Sequence, residues 1–208
     1  MVYAYTSFNL GDDLFIKELC SRYPQVQFTL YCPRDYKYNY PNLNNLKLVS
    51  SDNFFIKLTN FLLNKLRSTY RVQDIHSKKY KTIIYIGGSI FMERSNSYIN
   101  IKRKKSLIDS KRNIYVIGAN FGPYVTKKYY EEHRRLFKNY KSVSFRDQYS
   151  YNLFKDLPNV TLADDVIFQM DTKQYQADIE DDYIVISVIK PSIRKHLEGY
   201  DEIYYEKI

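Results

Sequence analysis

The 208 residues carry 44% hydrophobic side chains, enough to bury the core of one or two domains, and a formal net charge of +9. From Lys173 onward five Lys/Arg face eight Asp/Glu, a net of −3, so the first 172 residues carry +12 and suit an acidic partner: a phosphorylated small molecule, an anionic lipid surface or nucleic acid. Two cysteines and three scattered histidines exclude a disulfide framework and a Cys/His zinc site, and no apolar run reaches the roughly 18 residues that span a bilayer.

Short apolar runs alternate with longer amphipathic ones. A strand is predicted at Val2–Ser7, with no basic leader or cleavage site ahead of it. A helix follows over Asp13–Tyr23, where Leu14, Ile16, Leu19 and Cys20 recur near helical spacing. Strands come next at Gln27–Cys32 and Leu46–Val49, then a helix over Phe54–Leu66 capped by Asp52. That helix is the most apolar stretch of the chain, interrupted by Lys57, Asn60 and Asn64. Thr82–Ile86 (strand), Tyr98–Ile108 (helix), Asn113–Ile117 (strand), Lys127–Phe137 (helix), Ser142–Phe145 (strand), Gln148–Leu157 (helix) and Val160–Ala163 (strand) continue the alternation. Most strand runs are continuous and β-branched or aromatic, as in a parallel sheet buried on both faces. The pattern predicts a Rossmann-like, doubly wound parallel α/β lobe over residues 1–170. Residues 171–182 are polar and acidic and read as a linker. Tyr183–Val188 reads as a fresh strand and Ser192–Leu197 as the opening of a helix, so residues 183–208 read as the incomplete start of a second α/β lobe.

Open parallel sheets bind ligands beyond the carboxyl ends of their strands. The segments placed there are Asn9-Leu10-Gly11-Asp12-Asp13, Gly87-Gly88-Ser89, Gly118–Tyr124 with Asn120, Arg146-Asp147, and Asp164-Asp165. Glycine and small polar residues gather at that edge, where backbone approaches a ligand closely. Asp12 or Asp13 serves as a helix cap, as a ligand contact, or as both. Gly87-Gly88-Ser89 suits either a tight turn or an anion cradle, without the spacing of a nucleotide fingerprint. Arg146, at the end of a buried strand, needs an anion: a local carboxylate such as Asp147, or a phosphate or carboxylate ligand gripped by the guanidinium fork. Lys102–Lys105 reads as a solvated helix face, or else as contact with an anionic membrane or a phosphorylated lipid carrier. Tyr124, Tyr129 and Tyr130 read as packing residues, with sugar stacking as the alternative, and His133 reads as exposed.

Five segments in this order resemble the polysaccharide pyruvyl transferase family: Asn9–Asp13, Ile86–Ser89, Ile117–Pro123, Ser144–Asp147 with Ser150, and Ala163–Val166. The resemblance implies two Rossmann-like lobes of the GT-B type with a cleft between them. It implies transfer of pyruvate from phosphoenolpyruvate to two sugar hydroxyls as a ketal, on a cell-surface or exopolysaccharide unit, without a metal or other cofactor. It carries over Arg146 as donor-binding. Asn9, Gly11, Asp12, Gly87, Gly88, Ser89 and Asn120 become substrate-binding candidates, and Asp12 and Asp147 candidate proton-handling carboxylates, with Asp147 expected to orient Arg146. The implied partners are phosphoenolpyruvate and a glycan or lipid-linked saccharide. The implied location is the cytoplasm, with peripheral contact at the inner face of the membrane.

The second lobe reads as truncated, which puts full catalysis in doubt. Two other readings stay open: a GT-B sugar-nucleotide glycosyltransferase, and a non-catalytic basic α/β binding module. Nucleic-acid binding has no signature in the sequence.

Overall fold

A computed structural model describes residues 1–173, except Phe8, Pro41, Asn42 and Asn96, together with Ile184. Met1–Met170 forms one compact unit. Within it, seven strands run β1 (Val2–Tyr3), β2 (Phe28–Cys32), β3 (Leu46–Ser50), β4 (Thr82–Ile86), β5 (Asn113–Ala119), β6 (Ser142–Phe145) and β7 (Val160–Leu162). Six α-helices lie among them: α1 (Leu10–Arg22), α2 (Phe54–Lys65), α3 (Val72–Ser77), α4 (Ser97–Asp109), α5 (Lys127–Lys138) and α6 (Gln148–Phe154). The strands form one sheet in the order β3-β2-β1-β4-β5-β6-β7, and each described pair is parallel. This is the doubly wound α/β arrangement expected from the alternation of strands and helices.

The sheet is covered on both faces. Along β4, Ile83 and Tyr85 join one hydrophobic cluster while Ile84 and Ile86 join the other, as the two-residue period of a strand requires. Ile101 and Leu107 of α4, Leu136 and Phe137 of α5 and Phe154 of α6 fill the first cluster. Phe15, Ile16 and Leu19 of α1 fill the second. The first cluster is aromatic: Phe137 meets Phe91, Phe145 and Phe154 edge-on at centroid distances of 5.1, 5.7 and 5.0 Å.

Several boundaries differ from the sequence reading. β1 is two residues long rather than Val2–Ser7, because the chain leaves the ladder after Tyr3 to reach Asn9, which caps α1. The cap of α2 is Asn53, whose side chain accepts from the Phe55 N–H at 2.9 Å. Asp52 accepts from Ser50 Oγ (2.5 Å) and the Arg34 N–H (3.0 Å) instead. The short helix α3 and two 3-10 turns, Arg34–Tyr38 and Val166–Gln169, were not foreseen. The linker reading of residues 171–182 and the expected elements at Tyr183–Val188 and Ser192–Leu197 fall outside the described residues, apart from residues 171–173 and Ile184.

Two charged segments are less solvated than their composition suggests. His133 is 1% exposed, on the inward line Tyr129, His133, Leu136 and Phe137 of α5. Its Nδ1 donates to the Tyr129 carbonyl at 3.0 Å, and its ring packs against Phe91, Phe121 and Phe137. Lys102–Lys105 is not one solvated face either. Arg103 pairs with Asp74 at 3.2 Å, Lys105 with Glu132 at 2.5 Å, and Lys104 Nζ sits 4.3 Å from the Phe91 ring centroid.

Burial, and after it the charge of Lys104, pushes the His133 imidazolium down from 6.5 to about 3. Between those values the unfolded chain binds the extra proton, so stability is complete above pH 6.5 and falls as pH drops towards 3. The slope from this group reaches about 1.4 kcal/mol per pH unit. Urea unfolding at a series of pH values should show that slope in the wild type and lose it in His133→Phe. An unchanged profile would place the acid sensitivity elsewhere.

Candidate functional site

The sheet order reverses between β1 and β4, the place where doubly wound sheets bind ligands beyond the carboxyl ends of their strands. Asn9 caps α1 by accepting from the Asp12 N–H at 3.2 Å, which fixes Asp12 in the first helical turn facing the loop after β4. The Gly88 N–H donates to the Asp12 carboxylate. Gly87 adopts φ +131°, and a Cβ there would lie 2.8 Å from Asp12 Oδ1. The loop therefore accepts the carboxylate only because residue 87 has no side chain.

Gly88 fulfils a second steric demand. A Cβ at this position would collide with Arg146 Nη2 and lie 2.9 Å from its Cζ. Arg146 follows β6, and its guanidinium lies over the backbone of the β4 loop. Its Nε donates to Asn120 Oδ1 (2.7 Å) and its Nη1 to Asp165 Oδ2 (2.6 Å), and Cζ stands 5.8 Å from the Phe15 ring centroid. Asn120 is itself fixed: its N–H donates to the Gly88 carbonyl at 2.8 Å and its Nδ2 to Asp147 Oδ2 at 2.8 Å. Asp147 caps α6 through the Ser150 N–H (2.8 Å), and Ser150 Oγ accepts from the Phe121 N–H at 2.7 Å. Asp165 Oδ1 accepts from the Ile167 N–H at 3.1 Å. Loops after β1, β4, β5, β6 and β7 thus meet around one half-buried guanidinium.

The structure narrows what the sequence left open: the local carboxylate paired with Arg146 is Asp165 and not Asp147. Asp147 orients Arg146 indirectly, through Asn120, because its own oxygens are occupied by Asn120 and the start of α6. The sequence places Asp165 at this rim without assigning it a role. The signal was available: β6 and β7 are consecutive and parallel, so the residues that follow them lie side by side. Asp12, Gly87, Gly88, Asn120 and Arg146 come together as the sequence suggested. Asn9 and Gly11 support the first turn of α1, with Asn9 Oδ1 3.4 Å from where a Gly11 Cβ would be, and Ser89 is exposed on the same loop. Tyr129 is buried, and Tyr130 stacks on Phe154 while its hydroxyl donates to the Leu153 carbonyl, so these rings serve packing.

The charges are unequal in environment. Burial pushes the Asp12 carboxyl up from its ordinary value, reinforced by the neighbouring Asp13 and Asp165. The Gly88 N–H and the Arg146 cation oppose that rise. An Arg146 edge beside a reluctantly ionised carboxyl can hold an anion and exchange a proton next to it.

Fold and site together define a Rossmann-like α/β domain with an arginine-centred polar cluster at its topological switch point. The chain belongs to the polysaccharide pyruvyl transferase family, whose sequence model matches residues 9–208. No curated protein and no solved structure matches it significantly.

Asp147 has two structural duties, so Asp147→Ala should cost about 0.5–2 kcal/mol of stability through the lost cap. The exposed neighbour-in-sequence of the Arg146 partner, Asp164, should cost within about 0.5 kcal/mol when changed to alanine. Urea titration of both variants makes the comparison, and equal losses would remove Asp147 from the supporting network.

Proposed function

We propose that this protein transfers pyruvate from phosphoenolpyruvate to a saccharide of the cell surface or of an exopolysaccharide, with Arg146 as the donor-binding residue. Family membership supplies the saccharide acceptor and the reaction class. The single structural observation that supports the donor is the Arg146 guanidinium, held by Asn120 and Asp165 at the rim where five loops converge. Phosphoenolpyruvate carries a phosphate and a carboxylate, and both match the planar fork of an arginine. Asp165, which occupies one Nη in the structure, is the group that such an anion would displace or share.

In this reaction the methylene carbon of the donor takes a proton. The adjacent carbon then bonds to one sugar hydroxyl, and a second hydroxyl displaces the phosphate to close the ketal; of the two hydroxyl protons released, one balances the proton taken by the methylene carbon and the other leaves with the phosphate. Of the two carboxyls considered, Asp12 suits the proton-donor role, because burial keeps it protonated to higher pH than an ordinary aspartate. Asp147 is a positioning residue, committed to Asn120 and the α6 cap. The acceptor is a glycan or lipid-linked saccharide in a cleft shared with a second GT-B-like lobe, at the cytoplasmic face of the membrane.

Titration calorimetry with phosphoenolpyruvate tests the donor. Arg146→Ala should weaken binding roughly 10- to 100-fold, the range of a lost charge-assisted hydrogen bond, while acceptor binding changes little. Gly88→Ala should weaken it too, by displacing the guanidinium. Equal loss of donor and acceptor would indicate misfolding. Preference for a nucleoside-diphosphate sugar over phosphoenolpyruvate would replace this reading with glycosyl transfer. Asp12→Asn should keep donor affinity and lower turnover, and unchanged turnover would remove Asp12 as the acid.

A further inference from the structure

Helix α2 carries a face that the domain leaves uncovered. Its inward line is Ile56, Asn60 and Leu63, each partly buried. Ile56 packs on the first cluster, and Asn60 Oδ1 accepts from the Val72 N–H at 2.9 Å. The remaining apolar side chains point outward: Phe54, Phe55, Leu58, Phe61, Leu62 and Leu66 are 70, 74, 43, 63, 49 and 78% exposed. At helical spacing they fill a single stripe about 140° wide, opposite the inward line. No residue of α2 is fully buried. A contiguous stripe of this size calls for a partner, since scattered exposed apolar residues are ordinary and a continuous patch is not.

The surroundings identify the partner's chemistry. Beside the stripe runs a groove of about 660 Å³, lined by Phe61 and Ile99 and by the basic residues Lys57, Arg67, Arg71 and Arg103, with no carboxylate among its described lining residues. Asp74 pairs with Arg103 from outside the lining, and its carboxylate also accepts from the Arg71 backbone N–H. Lys57 and Arg67 supply positive charge beside the apolar side chains, and Lys65 stands within the stripe on a stem long enough to reach outward. A purely apolar protein surface has no use for these cations. A bilayer with anionic headgroups uses both halves of the arrangement: acyl chains for the Phe and Leu side chains, phosphates for Lys and Arg.

We propose that α2 and its basic groove form the surface by which this protein lies on a membrane containing anionic phospholipid, with the helix axis in the interface. The proposal deepens the reading of a membrane-side acceptor and rests on it only for the choice of compartment. α2 starts just beyond the carboxyl end of β3, so its exposed first turn, Phe54 and Phe55, belongs to the same rim as the Arg146 cluster.

The test uses the full chain and vesicles of phosphatidylcholine with and without phosphatidylglycerol, containing no saccharide acceptor. The chain has no tryptophan, so Phe61→Trp supplies a single reporter in the stripe. Its emission should shift to the blue only with the anionic vesicles, and added salt should weaken the binding. Lys57→Glu combined with Lys65→Glu should weaken co-sedimentation at least ten-fold, given about five-fold per basic residue at an anionic surface. Phe55→Ser combined with Phe61→Ser should do the same. Both double variants should keep their circular dichroism and their affinity for phosphoenolpyruvate, whereas Arg146→Ala should keep vesicle binding. No vesicle binding, or equal binding to neutral and anionic vesicles, overturns the proposal. So does a concentration-dependent dimer that Phe55→Ser/Phe61→Ser abolishes while vesicles bind nothing, which assigns the stripe to a second copy. Because donor binding is read separately, failure here leaves the pyruvyl-transfer reading untouched.

Discussion

The Arg146 guanidinium must lie flat against the backbone of the β4 loop, and much of the rim follows from that contact. It is possible only over a residue without a side chain, which fixes Gly88. It brings the Gly88 N–H and Gly87 to the Asp12 carboxylate, so the start of α1 is tied to β4. It requires two acceptors at the level of the guanidinium, met by Asn120 Oδ1 from the loop after β5 and Asp165 Oδ2 from the loop after β7. Asn120 in turn needs a fixed amide, supplied by Asp147, and Asp147 starts α6. A half-buried cation of this kind is stable because every contact is charge-assisted or shaped to the planar group.

The sheet makes the convergence possible. Strand order 3-2-1-4-5-6-7 sets β1 beside β4 as a parallel pair, although 78 residues lie between Tyr3 and Thr82. Parallel strands present all their carboxyl ends to one edge, so the loops after five strands adjacent in the sheet deliver side chains to one place without any strand changing direction. The aromatic packing of Phe91, Phe121, Phe137, Phe145 and Phe154 below the rim gives those loops a rigid base.

Strand positions were legible because parallel strands buried on both faces are largely continuous apolar runs, and β2, β4 and β5 show this in Phe28–Cys32, Thr82–Ile86 and Asn113–Ala119. The rim was legible because glycine and short polar residues follow those runs. What escaped was whatever depends on side-chain partners across the fold. The pairing of Arg146 with Asp165 rather than Asp147 is decided by β6–β7 adjacency. The burial of His133 is decided by which side of α5 meets Phe91 and Phe121, and local composition (Glu-Glu-His-Arg-Arg) points the other way. Asn53 rather than Asp52 caps α2 because Asp52 is already held by Ser50 and Arg34. The apolar helix α2 was visible as a segment, but its exposure was not, since an apolar helix is ordinarily buried.

Placing the donor at Arg146 is the claim on which the functional account turns. A crystal structure of the chain soaked with phosphoenolpyruvate reads it most directly. The account predicts a phosphate or carboxylate oxygen within hydrogen-bond distance of an Arg146 Nη, with the Asp165 contact lengthened or shared and the donor methylene towards Asp12. Density for the donor at any site that leaves the Arg146–Asp165 pair untouched would contradict it.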